Sequence, residues 1–458
     1  MHRRAFLGTL AAAAVPRPAA EAQHAPFVSS DVGTLKRVLV HTPGPEVRKG
    51  LGLGGGALRF LGGTIDERAA EDHLAMVQLL QNGGAQVAQL RGVLDEAVAE
   101  ARREKRLESW LRGWAPQLAP RQSEITGAAL LGAVNEFVYN VDSDGAFAPL
   151  TDPMGSIYWT RDSAVMTPRG VMICNFLNEG RAMESILMRF AYEFAPSMRK
   201  YPIVFDAAEE QITMEGGDTM VADERTIFMG VGNRTNEAAA RRVARKLNMD
   251  VLAVQMPGGV TPKRPADQGG AQRSAIHNHF LHLDTTCCFV DKKAVVTIPY
   301  FYEMAWAGKD PLTRMLKGMG RLPRVAESDM DRMANQLKDL GKVRRYKAGS
   351  GELDSTFGDL KLVDYLKKEN YRVIYVGGVP PEKSDVEQHM AEVVLAEFYR
   401  QAANVVAVAP GKVLAYAGNR HTQKALIDAG YEVQPFPGSE IMRNNGGPHC
   451  LTQPLERT

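Results

Sequence analysis

Short apolar runs recur along the chain, each broken by glycine, proline or a charged cluster, and several lead into segments whose apolar residues fall at helical spacing. The first, Leu35-Lys36-Arg37-Val38-Leu39-Val40-His41, is rich in branched residues and stops at Thr42-Pro43-Gly44, which predicts a strand and a turn. Over residues 66–81, Ala69, Ala70, Leu74, Val77 and Leu80 lie near helical spacing; Gly83-Gly84 ends the pattern and residues 86–90 predict a short strand. The unit is strand, helix, strand. Residues 93–131, richer in Glu, Arg and Ala, predict a helical insertion.

Two later stretches repeat that pattern. Thr226-Ile227-Phe228-Met229-Gly230-Val231-Gly232-Asn233-Arg234-Thr235 precedes a predicted helix over 236–247 and a strand over 250–254. Lys412-Val413-Leu414-Ala415-Tyr416-Ala417-Gly418-Asn419-Arg420 precedes a helix reaching 429 and a strand over 431–433. Such repetition predicts like modules around one axis, each covering its neighbour's apolar faces. Residues 302–360, with a charged helical pattern over 329–339 and a loop-like Ala348-Gly349-Ser350-Gly351, read as a second insertion, also helical. No linker divides residues 23–458, which predicts a single domain.

The amino end reads differently. Arg3-Arg4 followed by Phe6-Leu7, an apolar run over 10–15 and Ala20-Glu21-Ala22 match a twin-arginine signal peptide over residues 1–22. The pattern implies a bacterial periplasmic or secreted protein. No other window holds the 18 or so apolar residues of a spanning helix.

A composition of 45% hydrophobic and 24% charged residues is that of an ordinary globular protein, and a formal charge of +2 is too small to mark a nucleic-acid or membrane surface. A small-molecule ligand is therefore expected; self-association into a homo-oligomer stays open. The four cysteines, Cys174, Cys287, Cys288 and Cys450, show no CxxC spacing, so neither a zinc knuckle nor a disulfide framework is expected. Cys287 and Cys288 lie on a predicted strand and read as structural.

Cys450 is different in setting. It follows Gly446-Gly447-Pro448-His449, a turn whose backbone amides could face the sulfur and lower its pKa. An isolated cysteine is more often a small buried hydrophobe, so the assignment as nucleophile needs partners elsewhere. Three stretches offer them: Tyr158-Trp159-Thr160-Arg161-Asp162, Ile212-Thr213-Met214-Glu215-Gly216-Gly217-Asp218, and Phe280-Leu281-His282-Leu283-Asp284-Thr285. In the last, His282 and Asp284 at i and i+2 would project from one face of a strand. Each alone is explained by a cap, a turn or a satisfied buried group. A metal site at His277, His279 and His282 is a further alternative; the scattered carboxylates and the absence of HExxH spacing argue against it, so neither metal nor cofactor is expected. Together, a thiol, a histidine, two aspartates and a glutamate form a parts list for nucleophilic attack on a cationic carbon.

These motifs, in order from Ser30-Asp31-Val32-Gly33-Thr34 through Trp159-Thr160-Arg161-Asp162, Glu215-Gly216-Gly217-Asp218, Gly232-Asn233-Arg234-Thr235 and His282-Leu283-Asp284-Thr285 to Gly446-Gly447-Pro448-His449-Cys450, resemble the arginine deiminase family of guanidino-group-modifying enzymes. The resemblance covers nearly all of residues 23–458. It implies a five-bladed α/β propeller (pentein) of pseudo-repeated strand-helix modules with helical insertions. It further implies that Asp162 and Asp284 grip a guanidinium, that Cys450 attacks its carbon to give a thiouronium, and that His282, oriented by Glu215, moves the protons. The product would be a ureido compound of citrulline type plus ammonia. Arg181 and Arg234 match arginines that clamp a substrate carboxylate, and Asp218 falls among the substrate-binding positions. Ser156 stands where arginine-specific members carry Asn, Asn445 where they carry Arg, and an acidic pair has no match near residues 61–63. The expected partner is a small guanidino compound, with neither nucleic acid nor, once the signal is removed, membrane. An amidinotransferase, or a guanidinium-binding protein without turnover, would share most of these motifs.

Overall fold

The computed structural model describes residues 27–47, 67–134, 137, 139–141, 147–149, 153–257, 280–303, 337, 339–379 and 385–458. The expected signal peptide, residues 61–63, His277, His279 and most of 329–339 lie outside them.

Among the described residues the strands, numbered in chain order, fall into six sheets: five of one design and one separate hairpin. β1 (Leu35–Val40) leads through the helix Arg68–Asn82 to β2 (Gln86–Gln89), and the two strands pair in parallel. A short hairpin, β3 (Tyr139–Val141) with β4 (Phe147–Pro149), follows. β5 (Ala164–Thr167) and β6 (Gly170–Ile173) pair antiparallel, then the helix Ala182–Phe194 crosses to β7 (Ile203–Asp206), parallel to β6. The same order recurs in β8 (Thr219–Asp223), β9 (Thr226–Val231), the helix Glu237–Leu247 and β10 (Asp250–Gln255). It recurs in β11 (Cys287–Asp291) and β12 (Ala294–Thr297), which β15 (Arg372–Tyr375) joins after the helix Leu362–Lys368. The last full copy is β16 (Val406–Ala409), β17 (Lys412–Tyr416), the helix Arg420–Asp428 and β18 (Glu432–Phe436). Finally β19 (Gln453–Arg457) pairs antiparallel with β1, giving the first blade its missing strand. The structure is thus a five-bladed α/β propeller, as the repeated pattern and the resemblance led one to expect.

Each blade needs a helix because a parallel pair requires a crossover that covers one sheet face. The helix Glu237–Leu247 shows how the sequence provides it. Asn236 caps its start by accepting from the Ala239 N–H, Asn248 ends it at φ 50°, and Ala239, Ala240, Val243, Ala244 and Leu247 form its buried stripe. The inner strand of each blade is β19, β5, β8, β11 or β16. β5 is wholly buried, and contacts from β19 to β5, β8 to β11 and β11 to β16 run around the axis.

The two expected insertions differ. Residues 93–131 are helical: Leu90–Arg103, Leu107–Trp114, a 3-10 turn and Gly127–Leu130, with the first packed on the helix Ala182–Phe194. Residues 302–360 are not helical throughout. Within them β13 (Lys342–Tyr346) pairs antiparallel with β10, and β14 (Leu360–Lys361) pairs with β13. Val343 and Tyr346 are buried in this strand, which covers the otherwise open edge of β10. Residues 348–350 are a turn, within the loop expected at 348–351. Among the described residues no helix is long and apolar enough to cross a membrane.

Candidate active site

The polar residues singled out in the sequence meet because they share one position in the repeat, the turn just before an inner strand. Thr160–Ser163 is a single helical turn before β5, Gly216–Asp218 a 3-10 turn before β8, and Leu283–Thr285 another, separated from β11 by Thr286 alone. His449 and Cys450 precede β19 in the same way. The first of these turns contacts the second, and the second contacts the third.

This corrects the strand expected at 280–285. The Thr285 and Thr286 hydroxyls donate to the carbonyls of His282 and Leu283, so side-chain bonds stabilise a turn where β propensity suggested a strand. His282 and Asp284 therefore face different partners. His282 Nε2 lies 2.8 Å from Glu215 Oε2, and its Nδ1 lies 3.8 Å from Asp162 Oδ1. Asp284 Oδ2 accepts from His449 Nδ1 at 2.9 Å and from the Cys450 thiol at 3.3 Å. Gly217 permits the first arrangement, since a side-chain carbon there would collide with the His282 ring.

Charge sets the protonation of the two halves. Burial acts to lower the His282 pKa, but Asp162, Glu215 and Asp218 outweigh it and raise the value to about 9. Burial acts to raise Glu215, yet Arg234 and His282 bring it down to about 2. His282 is thus an imidazolium at neutral pH, bound to a carboxylate. Asp218 is pushed up by burial to about 7, while its oxygens accept from Thr235 Oγ1 at 2.7 Å and the Leu283 N–H at 3.0 Å. The Cys450 pKa lies well above the ordinary thiol value, from burial first and then from the charges of Asp284 and Asp162. The expected lowering by backbone amides is present, through Gly447, but it is the weaker effect. Cys287 and Cys288 are buried on β11, and burial raises both thiol pKa values, in keeping with a structural role.

One oxygen of each of the two aspartates, Asp162 Oδ1 and Asp284 Oδ1, is buried without a hydrogen bond, as is His449 Nε2. Buried carboxylate oxygens without donors carry a large desolvation cost that a cation rich in N–H groups would offset.

The two arginines are held differently. All three donor nitrogens of Arg181 are engaged: Nη1 to Asp162 Oδ2 at 2.8 Å, and Nε and Nη2 to Glu184 at 3.1 and 2.7 Å. The guanidinium also stacks over Phe176 and reaches the Ser156 carbonyl at 3.4 Å. Arg181 therefore braces Asp162 and Glu184. Arg234 remains beside Glu215 at 3.5 Å, with 18% of its side chain exposed. Ser156 is buried, and its carbonyl links it to Arg181. Asn445 adopts φ 65° and accepts from Gln401 Nε2 at 2.7 Å, which ties it to the segment before β16. Among the described residues no group of three or more His, Cys, Asp and Glu side chains could hold a metal ion.

Sequence reasoning missed Glu184 and Asn404. Asn404 lies two residues before β16, in the position that carries chemistry in the other blades, and its Nδ2 is 3.0 Å from Cys450 Sγ. The repeat, had it been extended to the segment before each inner strand, contained that signal.

Known proteins resemble the chain over most of its length. A family model described as arginine deiminase matches residues 136–457. The arginine deiminase of Mycolicibacterium gilvum is 28% identical over 452 residues, covering 94% of this chain and 97% of its own. That of Clostridium perfringens is 25% identical over 471 residues, covering 94% and 97%. Among solved structures, DDAH from Pseudomonas aeruginosa, complexed with citrulline, has a TM-score of 0.46 at 14% identity, covering 92% of this chain and 99% of that one.

Proposed function

The chain belongs to the arginine deiminase family, and from that premise we propose that it is a guanidino-group hydrolase, converting arginine or a close guanidino compound to its ureido product and ammonia. The observation that carries this reading is the pair of buried, unbonded oxygens, Asp162 Oδ1 and Asp284 Oδ1, beside a thiol held protonated. A guanidinium is planar, cationic and rich in N–H donors, so it suits both oxygens at once.

Its arrival offsets the two carboxylates that keep the Cys450 proton in place. The proton leaves by way of Asp284, its hydrogen-bond acceptor, and the sulfur attacks the guanidinium carbon. His282, an imidazolium at neutral pH, gives its proton to the departing nitrogen, so ammonia leaves and a thiouronium remains. The now neutral His282 takes a proton from water, the hydroxide adds to the same carbon, and the carbon–sulfur bond breaks as the proton of the new hydroxyl passes to the sulfur, restoring the thiol. Ammonia and the proton first lost by the thiol make ammonium; the sum is guanidinium plus water to ureido compound plus ammonium. Glu215 holds the imidazole in orientation throughout.

Arginine, agmatine and methylated or acylated arginines, each incubated with the purified protein, test the proposal through ammonia and ureido product. Turnover of at least one is expected, with loss of about 10⁴-fold or more in Cys450→Ala. Failure of every guanidine would sink the hydrolase reading, and an active alanine variant would remove Cys450 from it. Adding an acceptor amine distinguishes amidino transfer, which would give a new guanidine in place of the ureido product. We also propose export through the twin-arginine route, supported by Arg3-Arg4 and the small residues at 20–22; a periplasmic fraction lacking a shortened protein would refute it.

A further inference from the structure

Four blades bring the reacting set together through the turn before their inner strand: Asp162 in the second, Glu215 and Asp218 in the third, His282 and Asp284 in the fourth, Cys450 in the first. In the fifth blade that position holds Asn404, which is fully buried. Its Oδ1 accepts from the backbone N–H groups of His449 at 3.0 Å and Cys450 at 3.3 Å. Two donors on one side fix which end of the amide is oxygen, so Nδ2 faces the sulfur, at 3.0 Å. The approach is close enough that a side-chain carbon at Gly447 would lie 2.6 Å from Asn404 Oδ1. Among the described residues, the side-chain partners of the sulfur are the acceptor Asp284 Oδ2 at 3.3 Å and the donor Asn404 Nδ2.

We propose that Asn404 is a further catalytic residue, the N–H donor that holds the sulfur once its proton has gone. The inference rests on Cys450 as the nucleophile of the proposed reaction. While the thiol is protonated, it donates to Asp284 and needs little from Asn404. As the thiolate forms it becomes a strong acceptor, and the Asn404 amide N–H adds to the Gly447 backbone a side-chain dipole of the right sign. The same amide binds the backbone of residues 449 and 450, so the sulfur cannot turn away from its donor without breaking the anchor of its own loop.

Loop anchoring by itself uses only the oxygen, and this separates the two roles. Asn404→Asp preserves size and both acceptor bonds but replaces the N–H facing the sulfur by a carboxylate oxygen. At neutral pH its kcat is expected to fall about 10- to 100-fold, the range for a lost bond to a charged group, with KM within about twofold. Alkylation of Cys450 by iodoacetamide should titrate about one unit higher than in the native protein. The deficit should narrow toward acid, where a protonated carboxyl can donate again. Asn404→Ala, which loses anchor and donor together, should be at least as impaired and melt lower. Native kcat and an unshifted thiol titration in a folded Asn404→Asp protein would overturn the proposal. The alkylation arm needs no substrate, so a protein that turned over no guanidine would defeat the hydrolase reading and still leave Asn404 to be judged.

Discussion

The site contains two histidine–carboxylate pairs of nearly equal length, His282 with Glu215 at 2.8 Å and His449 with Asp284 at 2.9 Å, and their surroundings give them different work. Asp162, Glu215 and Asp218 surround the first imidazole and raise it to about 9. The carboxylate of the second is shared with a thiol, and its pKa is kept below the ordinary value by the hydrogen bond from His449 and the charges of His449 and His282, against burial. One pair stores a proton; the other accepts hydrogen bonds and, in the proposed reaction, would receive the incoming cation. Identical parts thus acquire an acid role or a binding role from the charge count around them.

The strongest way to break this comparison is to remove each imidazole in turn. His282→Gln should lower kcat by about 10² to 10⁴, the usual share of a general acid, whereas His449→Gln, acting only by holding Asp284, should cost about tenfold. Equal losses in steady-state assays would show that the pairs are not divided as described. Next in size is Arg181→Ala, which leaves Asp162 and Glu184 buried without their cation and should destabilise the fold by about 3–5 kcal/mol in urea titration. Little change there would mean that Arg181 is free to serve the substrate. Arg234→Ala should raise KM about tenfold for a carboxylate-bearing guanidine and hardly at all for agmatine; a similar rise for both would exclude the carboxylate clamp.

A smaller effect sharpens the first pair. Glu215→Gln removes a charge that holds the His282 proton, so the alkaline limb of kcat, set by His282 near 9, should move toward acid by about one unit. The linkage to stability has a definite sign. His282 is raised from 6.5 to about 9, so its contribution is complete below 6.5 and is lost as pH rises through 9. Glu215 is lowered from 4.5 to about 2, so its contribution is present above 4.5 and is lost as pH falls through 2. The pair should contribute most between 4.5 and 6.5, and Glu215→Gln should lose most relative to the native protein in that window.

Much of this was legible in the sequence because it is local or chemical. The helix over 236–247 was legible from its place in the repeated strand, turn, helix, strand pattern, and Cys450, His282, Glu215, Asp162 and Asp284 from residue types that together suit attack on a cationic carbon. What stayed hidden depends on distant partners. The pairing of Arg181 with Asp162 is a contact between turns of the tertiary fold, and β13 is a strand because β10 offers it an edge. The turn at Leu283–Thr285 was hidden for a different reason, since threonine favours both a strand and the hydroxyl–carbonyl bonds that formed there. Asn404 carries no charge and follows no glycine, so nothing in its immediate neighbours separates it from an ordinary buried amide.

The pairing of β1 with β19 joins regions at opposite ends of the described chain, and Arg457 reinforces it with bonds to the carbonyls of Gly33 and Ala407. Such a junction is costly in loop-closure entropy. Cys450 sits three residues before that strand, so catalysis reports on whether the ring is shut. During gentle denaturation, activity should therefore vanish while most helical signal survives, making turnover the more sensitive gauge of the intact circle.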